Sequence, residues 1–419
     1  MTDLSRRELL ALLSAGLAAS AEVVPKEKTL RPLRVRTITA GVELAGVQDL
    51  AAVERALARI TRARKRVAEA GFEVQTVRVA TNPIIAPLDA AQRSSAFAAL
   101  EKIDAAAAAA GAVLSIGPIL TADRFAPELG AWGAELAKRT RQISFSVNVT
   151  SAERGVHRAG ARTAAQVIAD LARVAESGVA NFRFAAAAGI PAGTPFFPVA
   201  HHQGPDSLAL GVESAGLVQA AFASAADADD GERRLRETLN AELRDVETLG
   251  TQLAESERVQ FLGIDPSPAP GMDRSIGAAI EALTRVPFGH PSTLQACAAI
   301  TAALKSLSVR TCGYAGLMLP VLEDPVLAKR ATEGRYGLQE LLLYSTVCGT
   351  GLDVVPFPGE ISVDALARII GDVGTLSARL RKPLSARLFP VPNKKAGERV
   401  RFDDPLLTEC RVFEADSKS

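Results

Sequence analysis

The chain has 419 residues, 48% hydrophobic, 23% charged and 5% aromatic, and 48 Lys+Arg against 47 Asp+Glu give a formal net charge of +1. That balance excludes a basic nucleic-acid surface and an acidic solvating chain, and the apolar content excludes a disordered one. The length allows a large core, and α/β barrels run past roughly 250 residues as one unit.

The N-terminus reads differently from the rest. Ser5-Arg6-Arg7-Glu8-Leu9-Leu10, with an apolar run from Leu9 to Ala21, resembles a twin-arginine export signal, and Ala19-Ser20-Ala21 fits a small-x-small cleavage pattern. The run is shorter than the roughly 20 apolar residues that span a bilayer, and no other stretch qualifies, so no integral membrane segment is expected. The alternative is an amphipathic helix with Ser5 as N-cap and Glu8 completing a capping box. Export would place the protein in the periplasm; the alternative leaves it in the cytoplasm. Residues 1–25 are therefore set apart as a leader or tail, 33–410 as one domain, and 411–419 as a C-terminal tail.

From residue 33 onward, strand and helix patterns alternate. Strands are expected over 35–39, 74–80, 113–119, 143–149, 181–186, 259–264, 352–355 and 384–389, with a buried apolar run over 317–322. Helices are expected over 49–70, 90–110, 163–177, 214–225, 231–257, 275–283, 293–306, 336–347 and 362–380, the alanine-rich one being a helix former rather than a linker. Two stretches break the pattern: a Gly/Pro/Phe loop from Gly189 to Gly204 and a proline-rich loop from Asp265 to Pro270. Nine or ten strands separated by helices imply parallel β-α-β connections in a single large barrel or doubly wound domain.

The four cysteines, Cys297, Cys312, Cys348 and Cys410, form no CxxC pair and complete no zinc pattern with the four histidines. Free thiols and no bound metal are expected. Cys312-Gly313 and Cys348-Gly349-Thr350-Gly351 follow apolar segments at element ends, where α/β active sites collect. A thiolate there would need a base such as His201 or His290; two packed thiols are the structural alternative. His201-His202 stand in the glycine/proline loop, and a metal role for His201 is a further alternative. Asn148, Asp265, Glu323 and Asp353 fall at strand or loop ends and could orient a small polar substrate. No phosphate loop, strand-linked GxGxxG, HExxH or GxSxG is present. Ser308-Val309-Arg310-Thr311-Cys312-Gly313-Tyr314 resembles the fingerprint of glycyl radical enzymes, which would make Gly313 a radical store. Gly313 stands far from the C-terminus where that family keeps its glycine, and a tight turn is the plainer reading.

Taken in order, Val35-Arg36-Thr37-Ile38-Thr39-Ala40-Gly41, Ser146-Val147-Asn148, the loop into His201, Gly263 to Pro270, the Cys312 turn and Val347-Cys348-Gly349-Thr350-Gly351-Leu352-Asp353 resemble domain-of-unknown-function family 711, also called uncharacterised protein family 0210. The similarity runs from about Leu33 to Pro392. It implies a ten-stranded α/β barrel of the pyruvate formate-lyase-like type. It brings no activity or cofactor, departs from the family in the leader, and supports Cys312, Cys348 and His201 over Gly313. Two readings remain open: an enzyme acting on a small polar metabolite through a Cys/His pocket, and a non-catalytic small-ligand-binding or regulatory barrel. Beyond a small-molecule ligand, a second copy of the chain is the remaining partner candidate.

Overall fold

Asp49 accepts a hydrogen bond from the Ala52 N–H and starts the helix Leu50–Glu69, whose buried Val53, Ala56, Leu57, Ile60, Ala63 and Val67 recur every three or four residues. A computed structural model describes residues 33–415 apart from 176, 272 and 273; the leader and residues 416–419 lie outside the described residues. Asp227 caps a second long helix, Ala228–Glu257, through the Asp230 N–H, so the acidic Asp227 to Asp230 knot is a helix start that complements the N-terminal dipole. Among the described residues, no helix is long and apolar enough to cross a membrane.

Nine strands form one sheet: β1 (Arg34–Val42), β2 (Val74–Thr81), β3 (Ala112–Pro118), β4 (Ile143–Asn148), β5 (Phe184–Ala188), β6 (Ser207–Glu213), β7 (Gln260–Asp265), β8 (Gly351–Pro358) and β9 (Leu384–Val391). Their spatial order is β8-β9-β5-β4-β3-β2-β1-β6-β7. Strands β1 to β5 are mutually parallel, as are β6 with β7 and β8 with β9. Two antiparallel steps join these groups, β1 with β6 and β5 with β9. The architecture is mixed α/β with a mostly parallel sheet.

The edge strands share a neighbour. Thr311 bridges Ile264 in β7, and Pro320 bridges Asp353 in β8. The apolar run Leu317–Leu322 thus makes one bridge rather than a ladder, because Pro320 has no N–H to donate. Three further expectations shift. The helix over 90–110 is interrupted at Ala96, giving Ala90–Ser95 and Phe97–Ala109. Residues Val179–Arg183 form a 3-10 turn, and β5 begins only at Phe184. Strand β6 lies outside the expected strands, although Leu208, Leu210 and Val212 alternate along it; only Ser214 separates it from the helix Ala215–Ala223.

The core has two parts on opposite faces of the sheet. Phe184, Ala186 and Ala188 of β5 join the large cluster shared with the helices. Ala185 and Ala187, on the other face of the same strand, pack with Phe196, Val199, Ala269, Tyr314 and Met318. The second cluster contains no helical residue. The glycine/proline loop is therefore buried against the sheet, with Val199 and Ala200 fully covered, and the Ser115 hydroxyl donates to the Ala200 carbonyl at 2.6 Å. Small side chains on β5 leave the room that Phe196 and Tyr314 occupy.

Candidate functional site

Arg34 and Arg36 of β1 meet Thr76 and Arg78 of β2 on one side of the sheet, β1 carrying an irregularity between Val35 and Thr37. There they line a cavity of about 600 Å³, together with Ser144, Phe182, Phe196, Phe197, Glu213, Glu323, Arg387 and others. Six arginines reach it (Arg34, Arg36, Arg78, Arg141, Arg183 and Arg387) against two glutamates. The cavity lies toward the start of β1 to β4, beside the end of β6.

Most of these cations are already engaged. Arg34 pairs with Glu213 at 3.2 Å and Glu73 at 3.0 Å. Arg183 donates to the carbonyls of Ala137 (2.6 Å), Thr140 (2.9 Å) and Ile143 (3.2 Å), and burial pulls its guanidinium down to about 10. Arg387 donates to Asp353 at 2.7 Å and Glu323 at 2.6 Å while stacking 4.7 Å above Phe182. Arg36 meets Glu323 only at 3.8 Å.

Arg78 is different. It contacts Thr76 Oγ1 at 3.2 Å and the Pro195 carbonyl at 3.5 Å, and lies 4.9 Å from the Phe197 ring centroid; no carboxylate of the described residues is within ion-pair distance. Burial, then repulsion from Arg36 and Arg387, lowers it to about 9, and the Glu323 charge opposes this only in part. It remains a cation at neutral pH, poorly compensated. Glu323 is pushed above the ordinary carboxylate range by burial, against the pull of Arg387.

Behind Arg36, Arg78 and Phe196, a cleft of about 20 Å³ holds Asp265 and Ser267. The Asp265 carboxylate accepts from the Ser267 hydroxyl (2.6 Å), the Ser267 N–H (3.1 Å), and the N–H groups of Tyr314 and Ala315 (both 3.3 Å). It folds the Cys312 turn over itself. Gly313 has φ +69°, and a Cβ there would collide with this carboxylate, so glycine is required for steric reasons. Burial raises Asp265, and burial followed by the Asp265 charge holds the Cys312 thiol far above its usual range.

The remaining anticipated residues fall elsewhere. His201 and His202 sit near the far end of β1, where Gly41 has no side chain and so leaves space for the His202 ring. Arg36 is five residues from Gly41, about 17 Å at roughly 3.3 Å per strand residue. Burial lowers His201, and His202 Nε2 meets the Gly204 carbonyl at 2.9 Å. Asn148 ends β4, its N–H donating to Leu120. Cys348 is buried, accepts from the Gly351 N–H at 3.4 Å, and lies near enough to Cys297 to raise that already buried thiol further. His290 stands between two helices and meets Arg335 at 3.2 Å. Asp353 holds Arg387, and Glu323 lines the cavity itself. No cysteine or histidine of the described residues lines the large cavity, and no cluster of three or more His, Cys, Asp or Glu among them could hold a metal ion.

The arginines belong to no catalytic motif. Their signal is in the sequence: Arg36 and Arg78 each interrupt a strand between β-branched neighbours, where an unpaired charge is costly unless the site uses it.

A mostly parallel mixed sheet with a charged cavity on one face defines an α/β protein with a pocket against its sheet. Residues 29–404 match the family model described as Uncharacterised ACR (DUF711), and the chain belongs to that family. A UPF0210 protein of Desulforudis audaxviator (strain MP104C) is 31% identical over 413 residues, covering 92% of this chain and 91% of the relative. Another UPF0210 protein, of Pyrobaculum arsenaticum, is 31% identical over 358 residues, covering 80% and 78%. A third, of Syntrophobacter fumaroxidans, is 30% identical over 417 residues, covering 92% and 91%.

Proposed function

We propose that the chain binds a small anionic metabolite in the cavity on the inner face of its sheet, against Arg36 and Arg78. The observation that carries this is Arg78: a half-buried guanidinium in the cavity wall, set against Phe197, with no carboxylate of the described residues within ion-pair distance. A bound carboxylate or phosphate would supply the missing charge through charge-assisted hydrogen bonds. The same reading takes the segment Thr311–Pro320, bridged to both edge strands, as the tenth staves-like element that closes a pyruvate formate-lyase-like barrel around the pocket.

Catalysis on that ligand is the second reading, and Glu323 favours it. Its carboxyl is in the cavity wall and is held above the usual range, as a proton-transfer group requires. Once a turned-over ligand is in hand, Glu323→Gln would keep binding and lose turnover.

Calorimetric titration with citrate, inorganic phosphate and 3-phenylpropionate tests the binding reading. At least one should bind one-to-one and weaken about tenfold or more in Arg78→Ala, the loss expected for one charge-assisted contact. Arg139→Ala, on the exposed surface, should bind like the wild type. Absence of binding by all three, or equal binding by Arg78→Ala, overturns the reading.

A further inference from the structure

The charges in the cavity also limit what kind of anion fits. Resting on the binding reading above, we propose that the ligand is an amphipathic monoanion: one carboxylate-like group on Arg36 and Arg78, and an aromatic or bulky apolar body on the phenylalanine wall.

Two observations lead there. The first is charge. Arg34, Arg183 and Arg387 are each committed to protein acceptors and Arg141 is exposed to solvent, which leaves Arg78 and the loosely paired Arg36 facing Glu323 inside the cavity. A polyphosphate or tricarboxylate would bring more negative charge than Arg36 and Arg78 offset, and Glu323 would repel the surplus. Arg36, Arg78 and Arg387 set against Glu323 and Asp353 leave one positive charge unmatched at this end of the cavity.

The second is size and lining. About 600 Å³ is far more than a bare carboxylate or phosphate group needs and falls within the range of pockets that enclose drug-sized ligands. The space beyond Arg78 is walled by Phe182, Phe196, Phe197, Val113, Pro198 and Leu406. Phe197 has the Arg78 guanidinium against its ring, and Phe182 has that of Arg387, so the phenyl rings hold the cations in position while their edges remain apolar surface. A ligand made only of polar groups would leave that surface wet. An apolar body would dry it.

Matched ligands test this on the full-length protein. In wild type, 3-phenylpropionate should bind about tenfold or more tightly than propionate, which has the same carboxylate without the ring, and more tightly than succinate or citrate. Phe197→Ala should remove most of the preference for the ring, and Phe197→Leu should keep part of it, with unfolding midpoints recorded for both. If citrate or phosphate binds and is lost in Arg78→Ala, yet 3-phenylpropionate binds no better than propionate, the amphipathic ligand is ruled out while the anion site stands. If no anion binds, both readings fall together. A ring preference unaffected in both Phe197 variants would also overturn the assignment of the apolar wall.

Discussion

Arg387 Nε donates to Asp353 Oδ1 across 2.7 Å with both side chains almost wholly buried, while Asp353 Oδ2 has no hydrogen-bond partner among the described residues. The pair links β9 to β8 and fixes the guanidinium that also holds Glu323 and covers Phe182.

Breaking such a pair strands a buried charge, which costs more than removing both partners. Arg387→Met should therefore lower unfolding stability by about 3–5 kcal/mol. The double variant Asp353→Leu/Arg387→Met should be clearly more stable than that single variant. Urea unfolding at neutral pH measures both; a double variant no more stable than Arg387→Met would show that the two residues do not act as a pair.

Glu323 makes stability depend on pH in a defined direction. Burial raises its carboxyl in the folded state, so the folded chain binds its proton more tightly than the unfolded chain. That contribution is complete below the ordinary glutamate value of roughly 4.3 and is lost as the pH rises through the folded value. Glu323→Gln removes the titration. Wild type should thus lose stability relative to this variant as the pH is taken from about 4 to about 7, read from urea midpoints at each pH. A difference that stays constant across that range would mean the group titrates alike in both states.

The Cys312 turn gives a third expectation. Burial and the adjacent Asp265 charge keep the thiol protonated, and only the thiolate reacts with an alkylating agent. Iodoacetamide at neutral pH should label Cys312 of the folded protein much more slowly than that of the urea-unfolded chain, as followed by peptide mass spectrometry. Asp265→Asn should speed the labelling by removing the like charge and loosening the Tyr314 and Ala315 contacts. Rapid labelling of the folded wild type would instead mark Cys312 as an activated nucleophile.

Local pattern made much of the architecture legible. The three- and four-residue spacing of Val53, Ala56, Leu57 and Ile60 marked one helix, and the Val35–Thr39 run marked β1. The candidate site was legible only in pieces. Asp265, Glu323 and Asp353 were picked out by their place at element ends, and the structure sets Glu323 in the cavity, Asp265 behind its wall and Asp353 beneath Arg387. The arginines that define the pocket are not legible as a site, because a charged residue in a strand looks solvated until its neighbours are known.

By itself the sequence determined a neutral, aliphatic α/β chain, the alternation of strands and helices, and membership of a family. Those properties depend on contacts within a few residues or on composition, so periodicity expresses them directly. Only the tertiary structure decided that β6 lies antiparallel to β1, that the glycine/proline loop is buried against the sheet, and that Arg36, Arg78, Glu323 and Arg387 share one cavity. These four residues come from opposite ends of the chain. Their meeting depends on strand order and register, which long-range packing sets and no local spacing encodes.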